Sequence, residues 1–121
     1  MATIELNQVN FEQIVGGKDT VIVDFWAPWC GPCVSFAPTY EAASDKYPGI
    51  VFGKVNTEVE QALSGSFQIR SIPTLMVFRE KVIVYSEAGA LPAAGLAQLI
   101  EHVQQLDMQE VHRKIAEQEV T

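Results

Sequence analysis

An apolar segment that leads directly into two closely spaced cysteines constrains the fold of this chain more than any other feature. Residues 21–27 read Val-Ile-Val-Asp-Phe-Trp-Ala, a nearly continuous apolar run that is typical of a strand buried on both faces. The segment Trp-Cys-Gly-Pro-Cys follows at 29–33 and contains both cysteines of the chain. We expect it to open a helix, where free backbone N–H groups and the positive end of the helix dipole stabilise a thiolate on Cys30.

The composition indicates a single domain with a hydrophobic core. The chain has 121 residues, 48 % of them hydrophobic, and its two cysteines are far fewer than a disulfide-built secreted scaffold contains. The formal net charge of −7 argues against nucleic acid or an anionic membrane as a partner. No segment approaches the roughly 18 unbroken apolar residues of a membrane span. Since residues 1–8 show no features of a signal peptide, we expect a cytoplasmic protein.

Strand and helix patterns alternate along the chain. Apolar runs between turn residues predict strands at residues 3–6, 20–27, 50–56, 74–78 and 82–85. Capping and breaking residues predict helices from Asn7 to about Val15, from Cys30 to Tyr47 with a bend near Pro38, over 59–64, and from Pro92 onward. The last two strands are predicted to form a hairpin.

This order of elements, with the cysteines at the end of an early buried strand, resembles the thioredoxin family. The resemblance covers residues 2 to 106 and is carried by residues 23–33, Ala37-Pro38, Lys54-Val55-Asn56, Ser71-Ile72-Pro73-Thr74 and Gly89-Ala90. It implies an α/β fold with a five-stranded mixed sheet in the order 1-3-2-4-5, antiparallel last strands and four flanking helices. We therefore expect a domain at 1–106 and a short C-terminal extension at 107–121.

The two cysteines are predicted to perform dithiol–disulfide exchange. A purely structural bridge is the less favoured interpretation, because closing so short a loop stabilises a fold by only about 2 kcal/mol. A structural zinc site needs about four ligands, and the spacing of His102 and His112 does not fit one, so we predict no metal site. We expect Cys30 to be the nucleophile and Cys33, one helical turn on, to resolve the mixed disulfide.

Neighbouring residues are expected to support this chemistry. Gly31 lets another chain approach, and Pro32 is tolerated in the first turn, where a backbone N–H has no helical partner. Asp24 lies in the buried strand, so its carboxyl group is expected to resist ionisation and to accept the proton of Cys33, unless it is only a hydrogen-bonded core residue. Lys54 either modulates the titration of Asp24 or is a solvated lysine at a strand end.

The resemblance also implies a substrate groove beside the cysteines. An X–Pro bond is cis in only about 5–6 % of cases, so the sequence alone predicts a trans bond before Pro73, whereas the family has a cis proline here. The resemblance predicts an apolar groove that binds an extended peptide by strand-like hydrogen bonds, formed by Trp29, Ile72, Pro73, Gly89 and Ala90.

Two classes of function remain open. The preferred one is a general disulfide reductase that binds no cofactor itself and receives NADPH electrons from a flavoprotein thioredoxin reductase, as the resemblance implies. Its other partners are then oxidised protein substrates. The alternative is a non-catalytic binding module or folding partner within a larger assembly. An isomerase or oxidant of an oxidising compartment is disfavoured by the missing signal sequence.

Three segments depart from the family pattern. Arg79-Glu80-Lys81 occupies a hairpin turn where the family commonly has glycine, which leaves the turn type open. Val34 stands where a basic residue is frequent, and losing that cation is expected to make Cys30 less acidic and to alter the choice of partner. Residues 107–121 have an apolar stripe at helical spacing, but a frayed, charged terminus is favoured over a helix. We expect a monomer, with weak self-association through this extension as the alternative.

Overall fold

A computed structural model describes residues 2–120, which form five strands and five helices. Met1, the first residue of the predicted domain, and Thr121, the last residue of the predicted extension, lie outside the described residues. The elements follow one another as β1 (Thr3–Glu5), α1 (Phe11–Gly17), β2 (Thr20–Trp26), α2 (Gly31–Lys46), β3 (Val51–Asn56), α3 (Gln61–Ser66), β4 (Thr74–Arg79), β5 (Val82–Ala88), α4 (Ala93–Gln104) and α5 (Met108–Val120).

The strands form one mixed sheet in the order β1-β3-β2-β4-β5, which confirms the predicted fold class. β1 and β2 both run parallel to β3, while β4 is antiparallel to β2 and to β5. β2 is thus the central strand, and six of its seven residues are buried. The cysteines follow the carboxyl end of β2. Because β2 is the central strand, they lie near the middle of the row of strand ends on that side of the sheet.

Helices cover both faces of the sheet, because alternate residues of β2 point to opposite sides. Val21, Val23 and Phe25 pack against α1 and α3 in one core cluster. Ile22 belongs to a second cluster on the other face, formed with α2 and α4. This arrangement explains the continuous apolar run of β2, since neither face of the strand meets solvent.

Gly53 in β3 allows a close approach of the β1 segment to the sheet. A Cβ atom at this position would overlap the side chain of Leu6, which is fully buried in the first core cluster. The backbone N–H of Leu6 also donates a 2.8 Å hydrogen bond to the carbonyl oxygen of Lys54. Glycine is therefore required here for packing.

Two helices begin a few residues later than predicted from the sequence. Helix α1 begins at Phe11 rather than directly after Asn7, because Asn7 Oδ1 accepts the backbone N–H groups of Val9 and Asn10 and so caps a preceding turn. α3 begins at Gln61, after a turn in which Asn56 Oδ1 accepts the N–H of Glu58. α2 runs without interruption through Pro38.

The hairpin between β4 and β5 has a two-residue loop. Arg79 pairs with Val82, which leaves Glu80 and Lys81 as the loop residues, with φ angles of 49° and 70°. Positive φ at both central positions is the signature of a type I′ turn, which matches the twist of a hairpin. The backbone N–H of Glu80 donates a 2.8 Å hydrogen bond to the carbonyl oxygen of Asp19. The turn is therefore held by the segment before β2 without a glycine.

The C-terminal extension forms a helix, so the favoured prediction of a frayed, charged terminus was wrong and the helical alternative is the one that the structure contains. α5 buries Met108, and Val111 and Ile115 are half-buried beside β5. His112 Nε2 lies 2.9 Å from Glu80 Oε1, which joins α5 to the hairpin turn. The apolar stripe at these positions is thus used within the chain. None of the helices in residues 2–120 has the length and apolarity needed to cross a bilayer.

Candidate active site

The two cysteines form a disulfide at the N-terminus of α2. Cys30 is the N-cap residue, with extended backbone angles of φ −85° and ψ 110°, and Cys33 is the third residue of the helix. Their Cα atoms are 5.2 Å apart. The backbone N–H of Cys33 donates to Cys30 Sγ over 3.2 Å. The sulfur of Cys30 thus lies where a helix N-terminus stabilises negative charge.

The two cysteines are buried, but the residue before them and the two residues between them are exposed. The cysteines are only 5 % and 2 % exposed, whereas Trp29 is 67 % exposed. Gly31 and Pro32, which separate the cysteines, are also exposed. The surface next to the disulfide is therefore formed by the exposed Trp29 ring and by two further exposed residues, of which Gly31 has no side chain.

Ile72 and the Pro73 segment border the disulfide on a second side. Ile72 packs against the cluster of Ala27, Cys30 and Cys33, and its carbonyl oxygen lies 3.7 Å from Cys30 Sγ. The Ile72–Pro73 peptide bond is cis. The N–H of Gly89 donates a 2.8 Å hydrogen bond to the carbonyl oxygen of Pro73, and Gly89 has a φ of 108°, which favours glycine.

Four of the five predicted groove residues therefore lie together at this sheet edge. They are Ile72, Pro73, Gly89 and the exposed Ala90 that follows Gly89. Trp29 is linked to them through its position next to Cys30 in the chain. Of these residues, Ile72 lies against the disulfide cluster, and Gly89 is joined to this segment by its hydrogen bond to Pro73.

Asp24 is a buried carboxyl group without a hydrogen-bond partner among the described residues. It is 1 % exposed, and neither carboxyl oxygen accepts a hydrogen bond there. Burial raises the pKa of Asp24 from 3.8 to about 7, and the positive charge of Lys54 opposes part of that rise. The group therefore changes its protonation state near neutral pH.

Lys54 lies beside Asp24 on the neighbouring strand. The two residues are in register between β2 and β3, and no hydrogen bond joins their side chains. The ammonium group of Lys54 instead lies 4.6 Å from the centre of the Trp26 ring, a cation–π contact. Trp26 packs against the disulfide cluster, so this contact connects Lys54 to the cysteine region.

The sequence analysis did not identify Tyr40, which lies on the same side of the sheet. Its hydroxyl group is fully buried and lies 3.0 Å from the carbonyl oxygen of Ile22 and 2.7 Å from that of Gly53, so it donates to one of them. Burial, and then the charges of Asp24 and Glu41, raise the pKa of Tyr40 well above 10. The spacing could have identified Tyr40, since it lies seven residues after Cys33 and therefore on the same face of the helix.

Among residues 2–120, no group of three or more His, Cys, Asp and Glu side chains is arranged to hold a metal ion. His102 lies in the last turn of α4 and His112 lies in α5, where it contacts Glu80.

A disulfide between an N-cap cysteine and the third residue of its helix, on this sheet, defines a thiol–disulfide oxidoreductase. The family model for thioredoxin matches residues 2–102. The chain accordingly belongs to the thioredoxin family, and its activity is that of a protein-disulfide oxidoreductase. Helix α5 lies beyond the matched residues.

Known relatives agree with this assignment. A Streptomyces coelicolor protein that bears the name thioredoxin 2 is 49 % identical over 118 residues, which are 98 % of this chain and 88 % of that protein. The solved structure of Plasmodium falciparum thioredoxin is 36 % identical, with a TM-score of 0.76, over 84 % of this chain and 98 % of the other. A mutant thioredoxin from Halobacterium salinarum has a TM-score of 0.80 and 27 % identity, over 87 % and 93 % of the two chains.

Proposed function

We propose that the protein reduces disulfides in oxidised protein substrates through Cys30 and Cys33. The Cys30 thiolate attacks one substrate sulfur, which forms a mixed disulfide and releases the other substrate sulfur as a thiolate that takes up a proton. Cys33 Sγ then attacks Cys30 Sγ, which forms the Cys30–Cys33 disulfide and releases the second substrate thiolate. Two electrons pass from the protein to the substrate in this exchange.

The hydrogen bond from the Cys33 N–H to Cys30 Sγ carries this assignment of roles. It supplies a donor to the sulfur of Cys30 at the N-terminus of α2, and both features favour a thiolate on Cys30. Cys33 follows inside the first helical turn and is the more buried of the two. We therefore assign nucleophilic attack to Cys30 and resolution to Cys33.

Asp24 is proposed to accept the proton of Cys33 during resolution. Its raised pKa of about 7 makes the carboxylate basic enough to hold that proton near neutral pH, and its burial on the α2 side of the sheet keeps bulk water from competing. Lys54 modulates this step, because its charge lowers the pKa of Asp24.

Substrate binding is assigned to the surface around the disulfide. We propose that an extended substrate segment lies beside Ile72 and pairs with backbone groups there, in the manner of an added strand. The exposed ring of Trp29 contacts the substrate on the cysteine side. The other contacts are assigned to Pro73, Gly89 and Ala90.

The reduced state is proposed to be regenerated by a flavoprotein thioredoxin reductase that uses NADPH. We infer that the protein acts in the cytoplasm, where a reducing environment suits a chain whose only cysteines form one exchangeable pair. A monomer is also inferred, since the apolar stripe of α5 packs within its own chain. Sedimentation at several concentrations tests the monomer, and a mass that rises with concentration contradicts it.

Trapping experiments test the assignment of roles. With Cys33→Ser, oxidised insulin is expected to give a stable mixed disulfide through Cys30, because the resolving thiol is missing. Cys30→Ser serves as the matched control and should trap little substrate. Faster trapping through Cys33 in the control than through Cys30 in the first variant would exchange the two roles. A wild-type protein that leaves insulin disulfides intact would instead favour the non-catalytic binding module.

A further inference from the structure

The side chain of Tyr40 joins three elements of the fold. Tyr40 belongs to α2, and its side chain is fully buried in the core cluster between this helix and the sheet. Its hydroxyl oxygen lies 3.0 Å from the carbonyl oxygen of Ile22 in β2 and 2.7 Å from that of Gly53 in β3. A single hydroxyl group therefore ties α2 to two neighbouring strands.

The two carbonyl groups lie next to Asp24 and Lys54, which are in register between the parallel strands β2 and β3. Ile22 comes two residues before Asp24, so the two side chains point to the same face of the sheet, which α2 covers. Gly53 directly precedes Lys54, so its carbonyl group belongs to the peptide unit that leads into Lys54. The Tyr40 hydroxyl thus holds both strands within two residues of the buried carboxyl group.

Tyr40 also lies on the face of α2 that contains Cys33. Seven residues separate them, which is about two helical turns, and both side chains are buried. The ring of Tyr40 packs against Phe36, with 5.7 Å between ring centres, and against Phe52 of β3, with 5.4 Å. The ring contacts fix the direction of the side chain, and the hydroxyl contacts fix this face of α2 on the strand that contains Asp24.

The hydroxyl group lies close to Asp24 without being its hydrogen-bond partner. After burial, the charge of Asp24 is the largest cause of the raised pKa of Tyr40. The hydroxyl has one proton, which it donates to a backbone carbonyl group. In the described part of the chain, neither carboxyl oxygen of Asp24 accepts a hydrogen bond. The carboxylate therefore keeps its capacity to take up a proton from another group.

We propose that Tyr40 is a positioning residue for the resolution step, and that its hydroxyl group holds the Cys33 face of α2 in place over Asp24. The inference rests on the proposed function, in which Asp24 accepts the proton of Cys33. In that step the proton passes to the carboxylate, and the sulfur of Cys33 attacks Cys30 Sγ and releases the substrate sulfur as a thiolate. Proton transfer depends steeply on the positions of donor and acceptor, so a helix that moves over the sheet slows the step.

Dithiobis(nitrobenzoic acid), an aromatic disulfide, separates attack from resolution in one experiment. The reduced protein is mixed with an excess of this reagent at pH 7.5, and the released thionitrobenzoate is followed by stopped-flow absorbance. Attack by Cys30 releases the first thionitrobenzoate at a rate that rises with reagent concentration. Resolution by Cys33 releases the second at a rate that does not depend on that concentration. Each variant thus yields two separate rate constants.

Tyr40→Phe removes the hydroxyl group and keeps the ring. We expect resolution to slow by about three- to tenfold, the factor that one hydrogen bond of ordinary strength contributes. The rate of attack by Cys30 should not change, since that step does not use Asp24. Ser44→Ala is the matched control, because it also removes a buried hydroxyl group of α2, one that accepts a 3.2 Å hydrogen bond from the N–H of Ala2. Both of its rates should equal those of the wild type.

A double-mutant cycle with Asp24→Asn measures whether Tyr40 acts through Asp24. In the Asp24→Asn background, Tyr40→Phe should leave the resolution rate unchanged, because the proton acceptor that Tyr40 positions is missing. An equal loss in both backgrounds would mean a general loosening of α2 and would overturn the inference. A wild-type resolution rate in Tyr40→Phe would overturn it as well. Tyr40→Leu, which also lacks the hydroxyl group, provides the same comparisons if Tyr40→Phe does not fold.

The single variant Asp24→Asn separates the inference from the proposed function. If Asp24→Asn slows resolution and Tyr40→Phe does not, the inference fails and the proposed function stands. If Asp24→Asn resolves at the wild-type rate, the proton acceptor assigned to Cys33 is wrong, and the inference is overturned with it.

Discussion

Replacing Asp24 by asparagine is expected to stabilise the oxidised protein increasingly as the pH rises. In the unfolded chain this carboxyl group ionises with a pKa near 3.8, whereas in the folded protein its pKa is about 7. Below pH 3.8 the group is protonated in both states. Between the two values the unfolded state has lost the proton and the folded state still holds it, so each pH unit removes about 1.4 kcal/mol from the free energy of unfolding.

The size of the effect follows from that difference in pKa. A rise from 3.8 to about 7 corresponds to about 4 kcal/mol of lost stability, fully present above pH 7 and absent at acidic pH. Asparagine has the shape of the protonated acid but cannot ionise. The variant should therefore resemble the wild type at pH 3.5 and exceed it by about 4 kcal/mol at pH 8.

Urea unfolding of both oxidised proteins between pH 3.5 and 9 measures this difference. Glu12→Gln is a matched control, because it also removes one carboxylate but at an exposed position of α1. Its stability difference from the wild type should stay within about 0.5 kcal/mol across the range. A difference between wild type and Asp24→Asn that does not change with pH would refute the argument, since it would mean that the folded state does not oppose ionisation of Asp24.

Three further predictions concern packing, charge and the C-terminal helix. Gly53→Ala should lower the free energy of unfolding by about 1–3 kcal/mol, measured in urea, because the new methyl group overlaps Leu6. Lys54→Met should raise the pKa of Asp24, seen as a shift of the carboxyl titration to higher pH by NMR, because a nearby positive charge is lost. Removing residues 107–121 should lower the thermal midpoint and reduce the free energy of unfolding by about 2 kcal/mol, because it removes the buried Met108. An unchanged midpoint would show that α5 does not contribute to stability.

Local sequence signals were sufficient for the central part of the fold. The apolar run of β2 identified the central strand, and the cysteine motif identified the start of α2. Both signals lie within a few residues of each other and depend little on distant parts of the chain. The resemblance supplied the strand order 1-3-2-4-5, which periodicity alone does not determine.

Contacts between distant segments could not be predicted in the same way. The ring contact of Lys54 with Trp26 depends on the register of β2 and β3, and the hydroxyl of Tyr40 reaches carbonyl groups of both strands. Asn7 was recognised as a capping residue, but its preference is compatible with a turn as well as with a helix start. The helix α5 was not the favoured prediction, because its charged residues are typical of a frayed terminus. Its apolar residues pack beside β5, a contact that the sequence alone does not reveal.

The stability cost of Asp24 is connected to the chemistry proposed for it. Placing a carboxyl group inside β2 with no hydrogen-bond partner among residues 2–120 destabilises the folded protein at neutral pH, and a purely structural role gives no reason to retain such a group. The same burial raises the pKa of Asp24 to about 7, so the carboxylate can take up a proton near neutral pH, where thiol–disulfide exchange takes place. If Asp24→Asn gains stability above pH 7 and slows resolution over the same range, one desolvated carboxyl group accounts for both effects. A variant that gains the stability but exchanges disulfides at the wild-type rate would separate them, and the proton acceptor for Cys33 would then be bulk water.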